Sequence, residues 1–278
     1  SGSVYWDIDL DGFGEASGWI AGGDGLLAID LNADGIINDH SELFGDQAGS
    51  PNGFAALAAY DTNADDAITS TDAQFDDLLV WIDANSNGYS EADELHTLDD
   101  LGITSISLAY SNVSYTISGN EIKQESSFVI NGQTRDIVDA WFAYDNVNTV
   151  YAEGYQLDVQ TLYLPSLRGF GELPDLHIAM SQDETLLGMV QDLAVANAET
   201  ILSTDFDFKG KVENILLRWA DVDNVPHESR DEYIDAQHLE FLEKLLGESW
   251  NNGIHSDPGP GQANVAEMAY QIALSKLA

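Results

Sequence analysis

The 278 residues include no cysteine and only nine lysines and arginines. The first absence removes disulfide staples and thiol nucleophiles together. His40, His96, His177, His227, His238 and His255 are scattered without an HxxxH spacing, so a zinc donor set is lacking too. No GxSxG elbow marks a nucleophilic serine. No apolar run approaches the roughly 20 residues of a membrane-spanning helix, and no leader peptide or lipidation motif is recognisable. Ser1-Gly2-Ser3 reads as a cut edge, with the expectation that the chain is a piece of something larger. Bases are scarcest at the front, where the first is Lys123. Set against 49 acids they leave a net charge of −40, which repels nucleic acid and anionic membranes.

Hydrophobic residues make up 44% of the chain and aromatics 10%, a composition that folds rather than one that stays disordered. A solvated surface explains acidity in general, but not acids set at metal-ligand spacing. In DTNADDAITSTD and DANSNGYSEADE, oxygen-bearing residues stand at positions 1, 3 and 5 and a carboxylate at position 12. That is the spacing of an EF-hand calcium loop, because a hard cation takes six to eight oxygens and alternate residues of a tight turn face one centre. The expected ligands are Asp61, Asn63, Asp65, the Ala67 carbonyl and Asp72 in one loop, and Asp83, Asn85, Asn87, the Tyr89 carbonyl and Glu94 in the other. Asp66 replaces the usual turn glycine in the former, and aspartate tolerates a left-handed backbone better than most residues.

Two more loops precede these. Asp7, Asp9 and Asp11 lead to Gly12, with Glu15 at position 9 and Gly18 at position 12, so the usual closing carboxylate is missing. Asp30, Asn32, Asp34, the Ile36 carbonyl and Asn38 form the other, with Glu42 closing one residue late. Several Ca2+ ions are therefore expected, as replacements for disulfides. Short helices are expected around 42–46 and 52–60, and a helical link carrying Phe75, Leu78, Leu79 and Trp81. From Ile103 the apolar period becomes two, with Gly119-Asn120 and Asn131-Gly132 as turns, which reads as an antiparallel meander. Asp145 to Asn148 reads as a linker. Beyond it, apolar residues recur every three or four positions, as in DETLLGMVQDLAVA and FKGKVENILLRWA, a helical pattern. The fold class is α+β: a calcium-loop and strand half over 1–148, then a mostly helical half over 149–278, packed as one compact and monomeric module.

The run DGFGEASGWIAGGDGLLAIDLNADGIINDHSELFGD, with LPSLRGFGELPDLHIAM and ILLRWADVDNV later, resembles modules of large RTX proteins exported by type I secretion. One branch is the self-processing module of iron-regulated RTX proteins, which on binding calcium breaks an Asp-Pro bond at its own upstream edge. Another is a calcium-dependent domain of giant RTX adhesins that binds the C-terminal ends of peptides on target cells. The resemblance implies a secreted, cell-surface protein and a role in adhesion, host colonisation or biofilm formation. The only Asp-Pro here is Asp257-Pro258, far from the upstream edge, so self-cleavage is not expected within this chain, and no other enzyme activity is indicated. A peptide carboxylate would need an open calcium to approach so acidic a surface. Candidates for that recognition are the unclosed first loop, the incomplete pair Asp221 and Asp223, the aromatics Trp19, Tyr89 and Trp219, and Arg168 in a glycine-rich loop.

Overall fold

The computed structural model describes residues 4–277 apart from 47–48, 153, 197–199, 201–202, 204, 231 and 252–255. Ser1-Gly2-Ser3 and His255 thus lie outside the described residues. The chain forms two compact units, one of residues 1–11 and 15–145, the other of 12–14 and 146–278.

In the first unit, strands β1 (Val4–Trp6) and β2 (Phe13–Ser17) pair antiparallel, with Trp6 opposite Glu15. Strand β3 (Leu26–Ile29), β5 (Leu78–Trp81) and β6 (Leu95–Thr97) form a second sheet with β5 in the middle. A third sheet has the order β10-β9-β7-β4, from β4 (Ala67–Thr69), β7 (Ile103–Ser107), β9 (Asn120–Ile130) and β10 (Gln133–Trp141). Strand β8 (Ser111–Ile117) also pairs with β9. Two short helices complete the unit. α1 (Gly53–Leu57) is capped by the Asn52 side chain. α2 (Leu98–Leu101) has a Thr97–Asp100 capping box, satisfying donors that a helix start leaves free.

Four expectations change here, the first being that the short helix expected around 42–46 is a 3-10 turn at His40–Glu42. The segment joining the two complete loops is a 3-10 turn at Phe75–Asp77 followed by β5, not a helix. Its alternation explains why: Leu78 and Val80 enter one core with Ile68, Phe75 and Ile106, while Trp81 enters another with Trp6, Ile37 and Leu43. A strand buried on both faces reads as a continuous apolar run, which helical spacing also fits. The strands after Ile103 do not form a simple meander either. β9 is 11 residues long, so one of its edges takes β8 along residues 120–125 and β7 along 128–130. The β9–β10 turn is the expected Asn131-Gly132, both residues left-handed at φ 51° and 75°. The β8–β9 turn is Ser118-Gly119, one residue earlier than expected. Finally, the supposed linker is strand β11 (Tyr144–Tyr151).

The second unit is helical as the periodicity requires: α3 (Leu176–Gln182), α4 (Glu184–Ala194), α5 (Phe208–Trp219), α6 (Ala236–Leu246) and α7 (Pro260–Leu277). Asp183, Asp207 and Asp235 cap α4, α5 and α6 through their side chains. Val212, Ile215, Leu216 and Trp219 are buried on α5, and Ala263, Ala266, Tyr270 and Leu274 on α7, all in one core with Leu186, Leu239 and Phe241.

Four acidic loops as a candidate metal centre

All four acidic loops share one backbone signature. Positions 4 and 6 are left-handed in each: Leu10 and Gly12, Ala33 and Gly35, Ala64 and Asp66, Ser86 and Gly88. Leucine, alanine and serine enter that region at a cost of about 1–2 kcal/mol, so something else in the loop must favour it. Part of the answer is the position-1 carboxylate. Asp30 accepts the N–H groups of Asp34 and Gly35, Asp61 those of Ala64, Asp65 and Asp66, and Asp83 those of Asn87 and Gly88. Asp7 accepts from Leu10. Position 5 is fixed in the same way, since Asp34, Asp65 and Asn87 each accept the N–H of position 7. The position-7 side chains of Ile36 and Tyr89 point outward, 42% and 69% exposed.

A second device closes each loop from inside. A buried carboxylate accepts the N–H of position 2: Glu15 from Ile8, Glu42 from Leu31, Asp72 from Thr62, and Glu94 from Ala84. Glu42, Asp72 and Glu94 accept the position-9 N–H as well. The first loop is therefore not unclosed. Glu15, eight residues after Asp7, does from strand β2 what Asp72 and Glu94 do from position 12, and Glu42 does it from position 13. Carboxylate oxygens of Asp7, Asp9 and Glu15 lie within 4.8 Å of one another.

Burial is severe at these carboxylates. Desolvation, with Asp9 and Asp11 adding to it, pushes Glu15 up to about 7 against the N–H donated by Ile8. Glu42 is raised by burial, with Asp39 and Asp30 adding. Asp72 is held below the usual range, chiefly by the Thr69 N–H. The second and fourth loops are also joined at their centres. Ile37 and Ser90 both occupy position 8, and the Ser90 hydroxyl accepts the Ile37 N–H at 2.7 Å and donates to the Ile37 carbonyl at 3.0 Å.

Residues 1–143, just over half of the chain, match the family model of the SPM domain. The chain belongs to the SPM domain family. It is also 36% identical over 229 residues to the iron-regulated protein FrpA of Neisseria meningitidis serogroup C, which takes in 80% of this chain. The chain spans 20% of that relative's length.

In this SPM chain the structure makes the remaining candidates ties more than ligand contacts. Trp19 packs within 5.4 to 5.5 Å of the Trp6, Trp81 and Phe142 rings, and its Nε1 donates to Asp83 at 2.6 Å. It thus anchors the fourth loop and does not offer a free aromatic face. Trp219 is 4% exposed and donates to the Pro174 carbonyl, which removes it as a contact surface. Asp223 pairs with Arg218, while Asp221 sits left-handed at φ 56° just after α5. Arg168 donates to Asn148 at 2.8 Å. Trp19 lies in the first unit and the other four in the second. One participant was missed: Glu91, at position 9 of the fourth loop, accepts from the Asn85 and Asn87 side-chain amides. Its signal was an acid at position 9 behind asparagines at 3 and 5. Among the described residues, no helix is long and apolar enough to cross a membrane.

Proposed function

We propose that this chain is a calcium-dependent module of a secreted RTX-type protein, and that cation binding to the four loops is what makes its first unit fold. The observation that carries this reading is the recurrence of one loop conformation four times before the first basic residue. Each loop buries a carboxylate, and Glu15 and Glu42 are buried beside further acids. Uncompensated charge in such surroundings is costly, and a divalent cation supplies the missing compensation. The donors present suit calcium: carboxylates, amide carbonyls and position-7 backbone carbonyls, with no thiolate or imidazole among them. Asp7, Asp9 and Glu15 would hold one ion, Asp30, Asn32, Asp34, the Ile36 carbonyl and Glu42 a second. Asp61, Asn63, Asp65, the Ala67 carbonyl and Asp72 would hold a third, and Asp83, Asn85, Asn87, the Tyr89 carbonyl and Glu94 a fourth. Circular dichroism and urea unfolding with calcium and with a chelator test this. Calcium should create or strongly stabilise the strand signal, and identical unfolding curves in the two buffers would refute it.

Family membership favours a second reading alongside the first, a calcium-triggered self-processing role in the larger protein. The resemblance drawn from sequence places such cleavage at an Asp-Pro upstream of these residues. Within the chain, Asp257 accepts from Arg230 at 2.6 Å. That contact occupies the Asp257 carboxylate, and the bond lies far from the upstream edge where such cleavage is placed, so the chain's mass should not change on incubation with calcium. Recognition of peptide C-termini, the adhesive role, draws less support from the loops. One of its two candidate open sites was the first loop, where Glu15 takes the position-2 N–H that the closing carboxylates take in the other loops; the other was the pair Asp221 and Asp223, of which Asp223 pairs with Arg218.

A further inference from the structure

Six acids are buried among the described residues: Glu15, Glu42, Asp72, Asp83, Glu94 and Asp139. Five belong to the acidic loops. Asp139, on β10, belongs to none of them, and it borders a cavity of about 250 Å3 in the first unit. The cavity wall is mostly apolar, with Phe54, Leu57, Trp141, Phe142 and Tyr144 contributing. Asp139 is 9% exposed, and its Oδ2 accepts the Gly53 N–H at 2.7 Å. A carboxylate in such a wall needs a reason, because an apolar side chain would fill the space without a desolvation cost.

The nearby charges do not supply one. Asp46 faces the same cavity and repels Asp139. His40 also lines the cavity, 3.8 Å from Asp46. Lys123 sits 3.4 Å over the Trp141 ring and pairs with Glu121 at 3.5 Å. Burial outweighs the help that Asp139 gets from Gly53, Lys123 and His40, and its carboxyl is raised above the usual range. A cation brought into the cavity would relieve that penalty, and aromatic faces add to its attraction. Anions are disfavoured twice, by Asp139 itself and by the net charge of −40.

We propose that this cavity is a binding site for a small apolar ligand with a cationic head, in its simplest form a primary alkylammonium whose chain lies against Phe54, Leu57 and Phe142 while its ammonium meets Asp139. The site borders the first and second loops through Ile8 and His40, takes none of their carboxylates, and asks nothing of the metal ions beyond a folded first unit.

Calorimetric titration in saturating calcium and about 0.15 M salt, an ionic strength that screens surface attraction, tests it with four probes: hexylammonium, hexanol, hexanoate and methylammonium. Hexylammonium should bind most tightly, with methylammonium and hexanoate far weaker. Asp139→Asn should lower hexylammonium affinity about tenfold to a hundredfold, the usual worth of a charge-assisted hydrogen bond, while leaving hexanol unchanged. Ala140→Leu, which fills the cavity and keeps Asp139, should weaken both hexyl probes. Calcium-saturated melting of each variant shows whether it is folded, and either variant alone decides the matter. Equal binding of hexanoate and hexylammonium would overturn the proposal. So would equal binding of methylammonium and hexylammonium, no binding of any probe, or folded variants with unchanged affinities.

Discussion

Replacing Glu15 with glutamine separates the burial of this carboxylate from the cation-holding role proposed for it. In the calcium-free protein its affinity for a proton is raised from 4.5 to about 7. The folded form therefore binds more protons than the unfolded chain across that interval, and Glu15 destabilises the fold progressively as pH rises from about 4.5 through 7. The full shift corresponds to about 3 kcal/mol. Glutamine keeps the oxygen that accepts the Ile8 N–H but carries no charge. In chelator, with sucrose added to hold the fold, Glu15→Gln should match the parent in unfolding free energy from urea titration near pH 4.5 and exceed it at pH 8, by up to about 3 kcal/mol. In saturating calcium the order should reverse at pH 8, because the variant lacks one anionic ligand. If the difference between parent and variant were the same at both pH values without calcium, Glu15 would not be the strained buried acid described here. If calcium failed to reverse the order, the first loop would not be a cation site.

Ser90→Ala should leave the Ile37 N–H without its buried partner, at a cost of about 1–3 kcal/mol, and should reduce the steepness of calcium titrations followed by tryptophan fluorescence. Asp183 caps α4 through Thr185 and Leu186 and accepts from Arg218 at 2.5 Å. Burial opposes ionisation there, but these donors outweigh it, and Asp183 titrates below the usual carboxylate range. Its contribution is thus present above about pH 4 and lost as pH falls below it. Asp183→Asn should lower the melting temperature of the helical unit at pH 7 and cost little near pH 3, as thermal unfolding by circular dichroism would report.

The loops were legible in the sequence because the spacing of their oxygen-bearing residues is also the spacing of the backbone N–H groups those side chains accept. Asp, Asn and Asp at alternate positions, followed by glycine, located the loops, and Glu42 was identified as a late closer. Glu15 was read as a position-9 acid and not as a closer, because closers were sought at position 12. Strand β2 begins immediately after Gly12 and brings its acid to the same place in fewer residues. The helices of the second unit were legible because Val212, Ile215, Leu216 and Trp219 repeat at helical steps on one buried face. β5 was not, since both its faces are buried and period two vanishes from the pattern. The asparagines around β11 concealed a strand behind a loop-like composition. The cavity at Asp139 could not be read at all, because its walls come from stretches about α1 and β10 that only tertiary structure brings together.

The contact between Ile37 and Ser90 also bears on the order in which the unit can assemble. It joins residues 53 apart in sequence, and closing a flexible loop of that length costs about 3.5 kcal/mol in its length-dependent part. The third acidic loop, 61–72, lies wholly inside the enclosed stretch. Whichever of the second and fourth loops forms first, its hydroxyl or backbone partner at position 8 is held ready for the other. The stretch between them then becomes a ring, and the third loop samples far fewer conformations than it would in an open chain. A chain that emerges extended into calcium should accordingly fold with a lag set by this closure, and its third loop should order last and quickly.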